Sequence, residues 1–143
     1  MMARYRSIRV LFVEDNPDDV EIARRAFKTT DVVSDIVLAR DGQEVLDRLF
    51  GEDSSIARPD LMLLDLNLPR VNGFEVLERV RASELYASMP VVVLTASARE
   101  EDIIEAYRLG ANSYIQKPAV FERFTRCLEV MCEYWLEVAT LPT

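Results

Sequence analysis

The sequence predicts an α/β fold: a doubly wound, five-stranded parallel sheet with helices on both faces. The apolar pattern switches five times between short β-branched runs and helical spacing, which indicates five βα units. The strand runs carry no alternating polar residues, as expected for strands that are covered on both faces. Right-handed crossovers leave few ways to wind such a chain, and the flavodoxin-like strand order 2-1-3-4-5 is the commonest at this length.

Helix-capping residues delimit the first two units. Strand one is predicted at Ile8–Val13, and Asn16–Pro17 then supplies an N-cap residue and a proline at the first helical position. Strand two is predicted at 36–39, and Asp41 with Glu44 opens the second helix as a variant of the capping box. The residues expected to face the core are Val20, Ala23 and Phe27 in the first helix and Val45, Leu46 and Leu49 in the second.

Three further units follow an irregular acidic loop at 51–59. Their strands are predicted at Leu61–Leu64, 91–94 and Ser113–Gln116, and their helices at Gly73–Ala82, at 99–109 and from near Val120 onward. Phe74, Leu77 and Val80 are expected to face inward from the third helix, and Gly110 is expected at the C′ position of the fourth.

Composition excludes several classes of function. The 143 residues fit one domain, and the net charge of −8 argues against DNA or an anionic membrane as the partner. The absence of histidine excludes a histidine base, histidine metal ligands and a phosphohistidine on this chain. Apolar runs are far shorter than the ~20 residues of a membrane helix. Cys127 and Cys132 point ~140° apart on a helix, so they are expected to stay reduced, in the cytoplasm.

Polar residues that interrupt the apolar pattern lie just past the carboxyl ends of the predicted strands. Glu14 and Asp15 follow strand one, Asp65 follows strand three, Thr95 follows strand four and Lys117 follows strand five. Ligands bind at this edge of open α/β sheets, where the strand order reverses. In the order 2-1-3-4-5 the reversal lies between strands one and three, so the three carboxylates are expected to face one another.

Such a group of carboxylates calls for a cation. At about 5 Å and an effective dielectric constant of about 20, each pair repels by roughly 3 kcal/mol. Oxygen-only ligands favour Mg²⁺, or Mn²⁺, and Mg²⁺ in turn favours a phosphate oxygen as a further ligand. Asp65, alone at its strand end, is the candidate nucleophile for an aspartyl-phosphate. Lys117 and Thr95 are suited to phosphoryl oxygens.

These residues, in a (βα)₅ chain, resemble the receiver domain of two-component response regulators over about residues 7 to 130. The resemblance implies that Asp65 accepts a phosphoryl group from a histidine of a separate sensor kinase, with slow self-catalysed dephosphorylation and no other enzymatic activity. It implies that Thr95 and Lys117 contact the phosphoryl oxygens. The implied metal ligands are Glu14, Asp15, Asp65 and the backbone carbonyl of Asn67.

The resemblance also assigns conformational roles. Tyr114, three residues before the lysine, matches the switch aromatic of the family, which turns inward as Thr95 moves toward the phosphate. Gly73 matches a glycine that is usual in its loop, and the Lys117–Pro118 bond is expected to be cis. Ser97, two residues after Thr95, is close enough to influence the attack of water on the phosphate.

The two ends of the chain narrow the resemblance. The segments 13–20 and 135–142 look like those of single-domain regulators that serve bacterial phytochrome kinases, so 1–143 is expected to be one receiver domain without an output domain. A core-facing stripe is predicted at Phe121, Phe124, Cys127, Leu128, Met131 and Trp135. Apolar residues from Tyr134 to Leu141 are expected to lie beyond the cover of the sheet, in a C-terminal extension at 130–143. We therefore expect a homodimer formed by this last helix and extension.

Three alternatives stay open at this point. A phosphatase of the haloacid-dehalogenase type also uses a strand-end aspartate with Mg²⁺, but it needs a second aspartate where this chain has Asn67. A flavin- or nucleotide-binding module fits the same fold, but the four glycines form no phosphate-binding loop. A degenerate receiver that serves only as a scaffold is disfavoured, since the acidic, threonine and lysine residues are all present.

Overall fold

A computed structural model describes residues 7–32, 34–51 and 58–142 of the chain, and these residues form the predicted doubly wound fold. The strands are β1 (Ile8–Val13), β2 (Ser34–Ala39), β3 (Leu61–Leu64), β4 (Val91–Thr95) and β5 (Ser113–Gln116). The helices are α1 (Pro17–Phe27), α2 (Gly42–Phe50), α3 (Gly73–Ala82), α4 (Glu100–Arg108) and α5 (Phe121–Cys132), followed by a π-helical segment (Glu133–Val138). Of the predicted acidic loop, 52–57 lie outside the described residues.

The sheet is parallel throughout and its order is β2-β1-β3-β4-β5, which confirms the sequence-based prediction. Each strand sends alternate side chains to opposite faces. Val10 and Phe12 of β1 pack with α1 and α5, whereas Leu11 and Val13 pack with α2, α3 and α4. The two faces therefore carry separate apolar cores, and the polar chemistry is left to the strand ends.

The predicted caps fix the starts of α1 and α2. Asn16 Oδ1 accepts hydrogen bonds from the backbone N–H groups of Asp18, at 2.9 Å, and Asp19, at 3.4 Å. Asp41 Oδ1 accepts from the Glu44 N–H at 2.8 Å, as the capping box predicts. The Glu44 carboxylate, however, accepts from the N–H of Arg40. The first turn of α1 is thus capped directly after Glu14 and Asp15, the acidic pair that follows β1.

The inward stripe of the last helix differs from the prediction after Met131. The Ala139 N–H donates to the Tyr134 carbonyl, five residues earlier, at 2.7 Å. The wider π-helical turn moves the inward position by one residue, so Leu136 is buried while Trp135 is only half-buried. The expectation that all apolar residues after Tyr134 lie beyond the sheet is therefore wrong for Leu136 and Leu141, which join the α1–α5 core.

Other apolar residues of the C-terminal segment are exposed, among them Phe121 (54%), Tyr134 (51%) and Val138 (65%). The inward placement predicted for Phe121 is wrong: Phe121 is the first residue of α5, and its side chain is exposed. Phe124, Leu128 and Met131 are buried as predicted.

The Lys117–Pro118 peptide bond is trans, so the expectation of a cis bond is wrong. No cis peptide bond occurs among the residues that the structure describes. The trans form of an X–Pro bond is favoured by about 0.5–1 kcal/mol, and the Lys117 N–H is held by the Thr95 carbonyl at 2.7 Å.

Within the described ranges, no helix combines the length and apolar character needed to cross a bilayer.

Candidate functional site

Acidic side chains from two neighbouring strands meet at the carboxyl edge of the sheet. Val13 of β1 pairs with Leu64 of β3, so the residues that follow these strands are side by side. The Asp65 N–H donates to the Val13 carbonyl at 3.1 Å, which fixes the Asp65 backbone against β1. One carboxylate oxygen each from Glu14, Asp15 and Asp65 lies within 4.8 Å of the others. Glu14 and Asp65 are buried, and Asp15 is exposed.

The Lys117 ammonium lies among these carboxylates. Its Nζ donates to Glu14 Oε1 at 2.5 Å, to Asp19 Oδ2 at 2.8 Å and to Asp65 Oδ2 at 3.1 Å. Asp19 is a member of the site that the sequence-based predictions lack. A signal for it exists, because Asp19 lies four residues before Ala23 and seven before Ala26, both buried, and so shares the inward face of α1.

Glu14 and Lys117 both titrate away from their usual ranges. Burial raises the pKa of Glu14 to about 7, with the negative charge of Asp65 adding to the effect and the hydrogen bond from Lys117 opposing it. Burial alone would lower the pKa of Lys117, but its hydrogen bonds to Asp19 and Glu14 raise it instead. Both shifts agree with one ammonium that is shared among several carboxylates, since a single positive charge cannot neutralise all of them. The site therefore holds excess negative charge.

Asn67 connects Asp65 to the end of β4. The Asn67 N–H donates to Asp65 Oδ1 at 3.0 Å, and its side-chain amide lies 3.5 Å from the Thr95 hydroxyl. Thr95 is fully buried. The space beside this turn requires glycine at position 73, because a Cβ atom there would lie 2.6 Å from both the Asp65 carbonyl oxygen and the Leu66 Cα.

Tyr114 contacts the loop after β4. Its half-buried side chain donates a hydrogen bond of 2.9 Å from the hydroxyl to the Ser97 carbonyl, and burial raises the pKa of Tyr114. The Ser97 hydroxyl itself donates to Asp102 Oδ2 at 2.5 Å. Tyr114, Ser97 and Asp102 thus join β5, the β4–α4 loop and the first turn of α4.

The donor set of the acidic group suits a hard divalent cation. Glu14, Asp15 and Asp65 offer carboxylate oxygens only, which Mg²⁺ and Mn²⁺ prefer to nitrogen or sulfur. A divalent cation would also offset the excess negative charge that one lysine leaves. The residues present therefore fit divalent metal binding.

Comparisons with known proteins agree on one family. The family model of the response regulator receiver domain matches residues 10–129. The probable methanogenesis regulatory protein FilR2 of Methanothrix harundinacea is 41% identical over 128 residues, 89% of this chain and 83% of the relative. Response regulator Rcp1 of Synechocystis sp. is 36% identical over 135 residues, 93% of this chain and 92% of the relative.

Solved structures that resemble this chain are also response regulators. The Mn²⁺-bound form of response regulator Rcp1 matches with a TM-score of 0.92 at 35% identity, over 95% of this chain and 99% of that one. The phosphorylated cyanobacterial phytochrome response regulator RcpA matches with a TM-score of 0.91 at 38% identity, over 96% and 100% of the two chains. The alternative of a haloacid-dehalogenase-type phosphatase gains no support from these matches. The chain belongs to the receiver domain family of response regulators.

Proposed function

We propose that this receiver domain accepts its phosphoryl group on Asp65, from a phosphohistidine of a sensor kinase. The observation that carries the proposal is the position of the Asp65 carboxylate, which lies beside Glu14 and Asp15 and 3.1 Å from the Lys117 ammonium. The Asp65 side chain keeps 7% of its surface exposed at the carboxyl edge of the sheet. A donor can approach from that edge, because Asp15 beside it is exposed.

Each residue of the site has a role in the proposed transfer. An Asp65 carboxylate oxygen attacks phosphorus, the P–O bond forms, and the P–N bond breaks with its electron pair left on the donor imidazole. Lys117 and Thr95 hold the phosphoryl oxygens. Glu14, Asp15, Asp65 and the backbone carbonyl of Asn67 would hold Mg²⁺, which supplies charge neutralisation at the phosphoryl oxygens when bound. Hydrolysis of the product by the domain itself is expected to be slow.

Phosphorylation is proposed to act on a two-state equilibrium. The Thr95 hydroxyl, now 3.5 Å from the Asn67 amide, would turn to the phosphoryl group, and Tyr114 would leave the Ser97 carbonyl and turn inward. Phosphate shifts the populations because it contacts one of the two states only. Ser97, adjacent in this loop, would affect the access of water to the phosphate.

A phytochrome-type histidine kinase is the proposed donor. The proposal is supported by the 38% identity to the phosphorylated cyanobacterial phytochrome response regulator RcpA over nearly the whole chain. Because such kinases draw their phosphate from ATP inside the cell, we also propose that the chain works in the cytoplasm, as one receiver domain over 1–143. Transfer from a phytochrome kinase should exceed transfer from an unrelated histidine kinase at equal concentration, and equal rates would contradict this assignment.

A homodimer through the C-terminal helix and extension is also part of the proposal. It is supported by an apolar groove of about 600 Å³ between β5 and α5, beside the exposed Val130 and Tyr134. Truncation is not a clean test, because Leu136 and Leu141 belong to the core. Tyr134→Arg should instead lower the mass found by sedimentation, whereas Tyr107→Arg, equally exposed on α4, should leave it unchanged.

Mass spectrometry after incubation with acetyl phosphate and Mg²⁺ tests the acceptor. The wild-type chain should gain one phosphoryl group, which Asp65→Asn should abolish. Asp18→Asn, an exposed carboxylate of α1, is the matched control and should retain the gain. A gain that persists in Asp65→Asn would assign the phosphate elsewhere. Sustained turnover of phosphate esters would favour a phosphatase instead.

A further inference from the structure

We propose that Asp19 is a positioning residue of this site, which holds the Lys117 ammonium from the side of α1. The inference deepens the proposed function and rests on it, since the role of Lys117 is defined there. Asp19 Oδ2 lies 2.8 Å from Lys117 Nζ. The two side chains are only 18% and 11% exposed, so the contact is shielded from water.

The neighbouring Asp18 shows that this contact is specific to position 19. Both aspartates lie in the first turn of α1, and the Asn16 side chain accepts from the N–H of each. Asp18 is exposed, whereas Asp19 lies on the inward face of the helix above Ala23. Two carboxylates of equal charge, one residue apart, therefore differ in that one of them reaches the lysine.

The need for Asp19 follows from the hydrogen-bonding capacity of the ammonium group. A lysine offers three donors, and Lys117 directs them at Glu14, Asp19 and Asp65. Glu14 and Asp65 are proposed ligands of the cation, and Asp65 is also the proposed acceptor of phosphate. Of the three partners, Asp19 alone has no other proposed role. It can therefore hold the Lys117 ammonium in place while another N–H group of that ammonium turns to a phosphoryl oxygen.

Asp19 also limits the competition between Lys117 and the cation. In its absence, the ammonium charge falls on Glu14 and Asp65 alone, whose oxygens the cation requires. Removal of Asp19 should therefore weaken cation binding through Lys117. Loss of Asp18 should act only through a screened, solvent-exposed charge.

A Mn²⁺ titration by calorimetry, without any phosphoryl donor, tests the inference. Asp19→Asn should weaken Mn²⁺ binding by on the order of tenfold, and Asp18→Asn by less than about threefold. The same two substitutions are then made in a Lys117→Gln background. In that background the two substitutions should change the Mn²⁺ affinity by equal, small factors, because the coupling to the lysine is gone. Asp19→Glu, which keeps the charge, should recover part of the loss.

Two results of this titration would overturn the inference. One is equal Mn²⁺ affinity for Asp18→Asn and Asp19→Asn in the presence of Lys117. The other is an undiminished effect of Asp19→Asn in the Lys117→Gln background, which would indicate a role in the helix and not at the lysine. If Asp19→Asn does not fold, Asp19→Ser takes its place in the cycle.

The rate of phosphorylation by acetyl phosphate separates this inference from the proposed function. Asp19→Asn should be slower than Asp18→Asn by on the order of tenfold. If the wild-type chain is phosphorylated on Asp65 but the two variants are equal, only the role of Asp19 fails. If the wild-type chain is not phosphorylated at all, the proposed function fails, while the Mn²⁺ cycle still reports on the contact with Lys117.

Discussion

The Tyr114 hydroxyl and the Ser97 carbonyl are joined by a hydrogen bond of 2.9 Å, which connects β5 to the loop between β4 and α4. Tyr114→Phe removes this bond and little else. We expect the free energy of unfolding to fall by about 1 kcal/mol, as for loss of one partly buried hydrogen bond. Acetyl phosphate should still modify Asp65, because the hydroxyl bonds to Ser97 and not to the carboxylate.

Urea denaturation of the variants measures this effect. Tyr134→Phe is the control, since the side chain of Tyr134 is half exposed; both variants are measured at a protein concentration at which the chain is monomeric. An equal loss of stability in the two variants would mean that the bond to Ser97 contributes nothing of its own.

The raised pKa of Glu14 predicts a pH dependence of stability in the absence of divalent cations. The carboxyl titrates at about 7 in the folded chain and near 4.5 in the unfolded one, so between these values the folded state keeps a proton that the unfolded chain has released. The contribution of this proton to the free energy of unfolding is fully present below the pKa of Glu14 in the unfolded chain. It is lost as the pH rises through the pKa of Glu14 in the folded chain.

The expected loss between about pH 5 and about pH 8 is on the order of 2 kcal/mol. Urea denaturation at the two pH values, in the presence of a chelator of divalent cations, measures this loss of unfolding free energy. Glu14→Gln should flatten this part of the profile, and the difference between the two proteins isolates Glu14 from the other carboxylates. An unchanged slope in Glu14→Gln would contradict the prediction.

Arg81 is predicted to contribute more to stability than an ordinary surface charge. Its guanidinium, in the last turn of α3, donates to the carbonyls of Gly110 at 2.7 Å and Met89 at 2.7 Å, and to Asn112 Oδ1 at 2.9 Å. Arg81→Lys keeps the charge but cannot reach all of these acceptors, so we expect a loss of about 2–3 kcal/mol.

Arg79→Lys is the matched control, because Arg79 is exposed on the same helix. Thermal or urea denaturation should leave this control close to the wild-type protein. If both variants lose the same amount of stability, the acceptors around Arg81 are satisfied equally well without it.

The strand ends explain why much of the site could be predicted. Strand order alone brings Asp65 beside Glu14 and Asp15, because parallel strands that pair also end together, and no side-chain detail is needed. The same argument brings Lys117 to this edge. It does not give the partners of the lysine, which depend on how far a long side chain extends across the edge.

Asp19 and Arg81 were missed for a common reason. Each lies in a terminal turn of a helix, where acidic residues at the N-terminus and basic residues at the C-terminus are ordinary. Their partners, Lys117 and Gly110, lie far away in the sequence, and no local sequence pattern predicts such contacts. In the last helix, the prediction assumed 3.6 residues per turn throughout, and the wider turn after Cys132 broke that assumption.

The π-helical segment makes the length of the C-terminal tail matter as much as its composition. Met131, Leu136 and Leu141 follow one another at five-residue intervals, and all three are buried against the same core. Loss of one residue between 133 and 138 would shift the register of this segment by one position and move Leu141 away from the core against which it packs. Evolution can therefore exchange side chains in this stretch more freely than it can shorten it, and alignments of related chains should avoid gaps there.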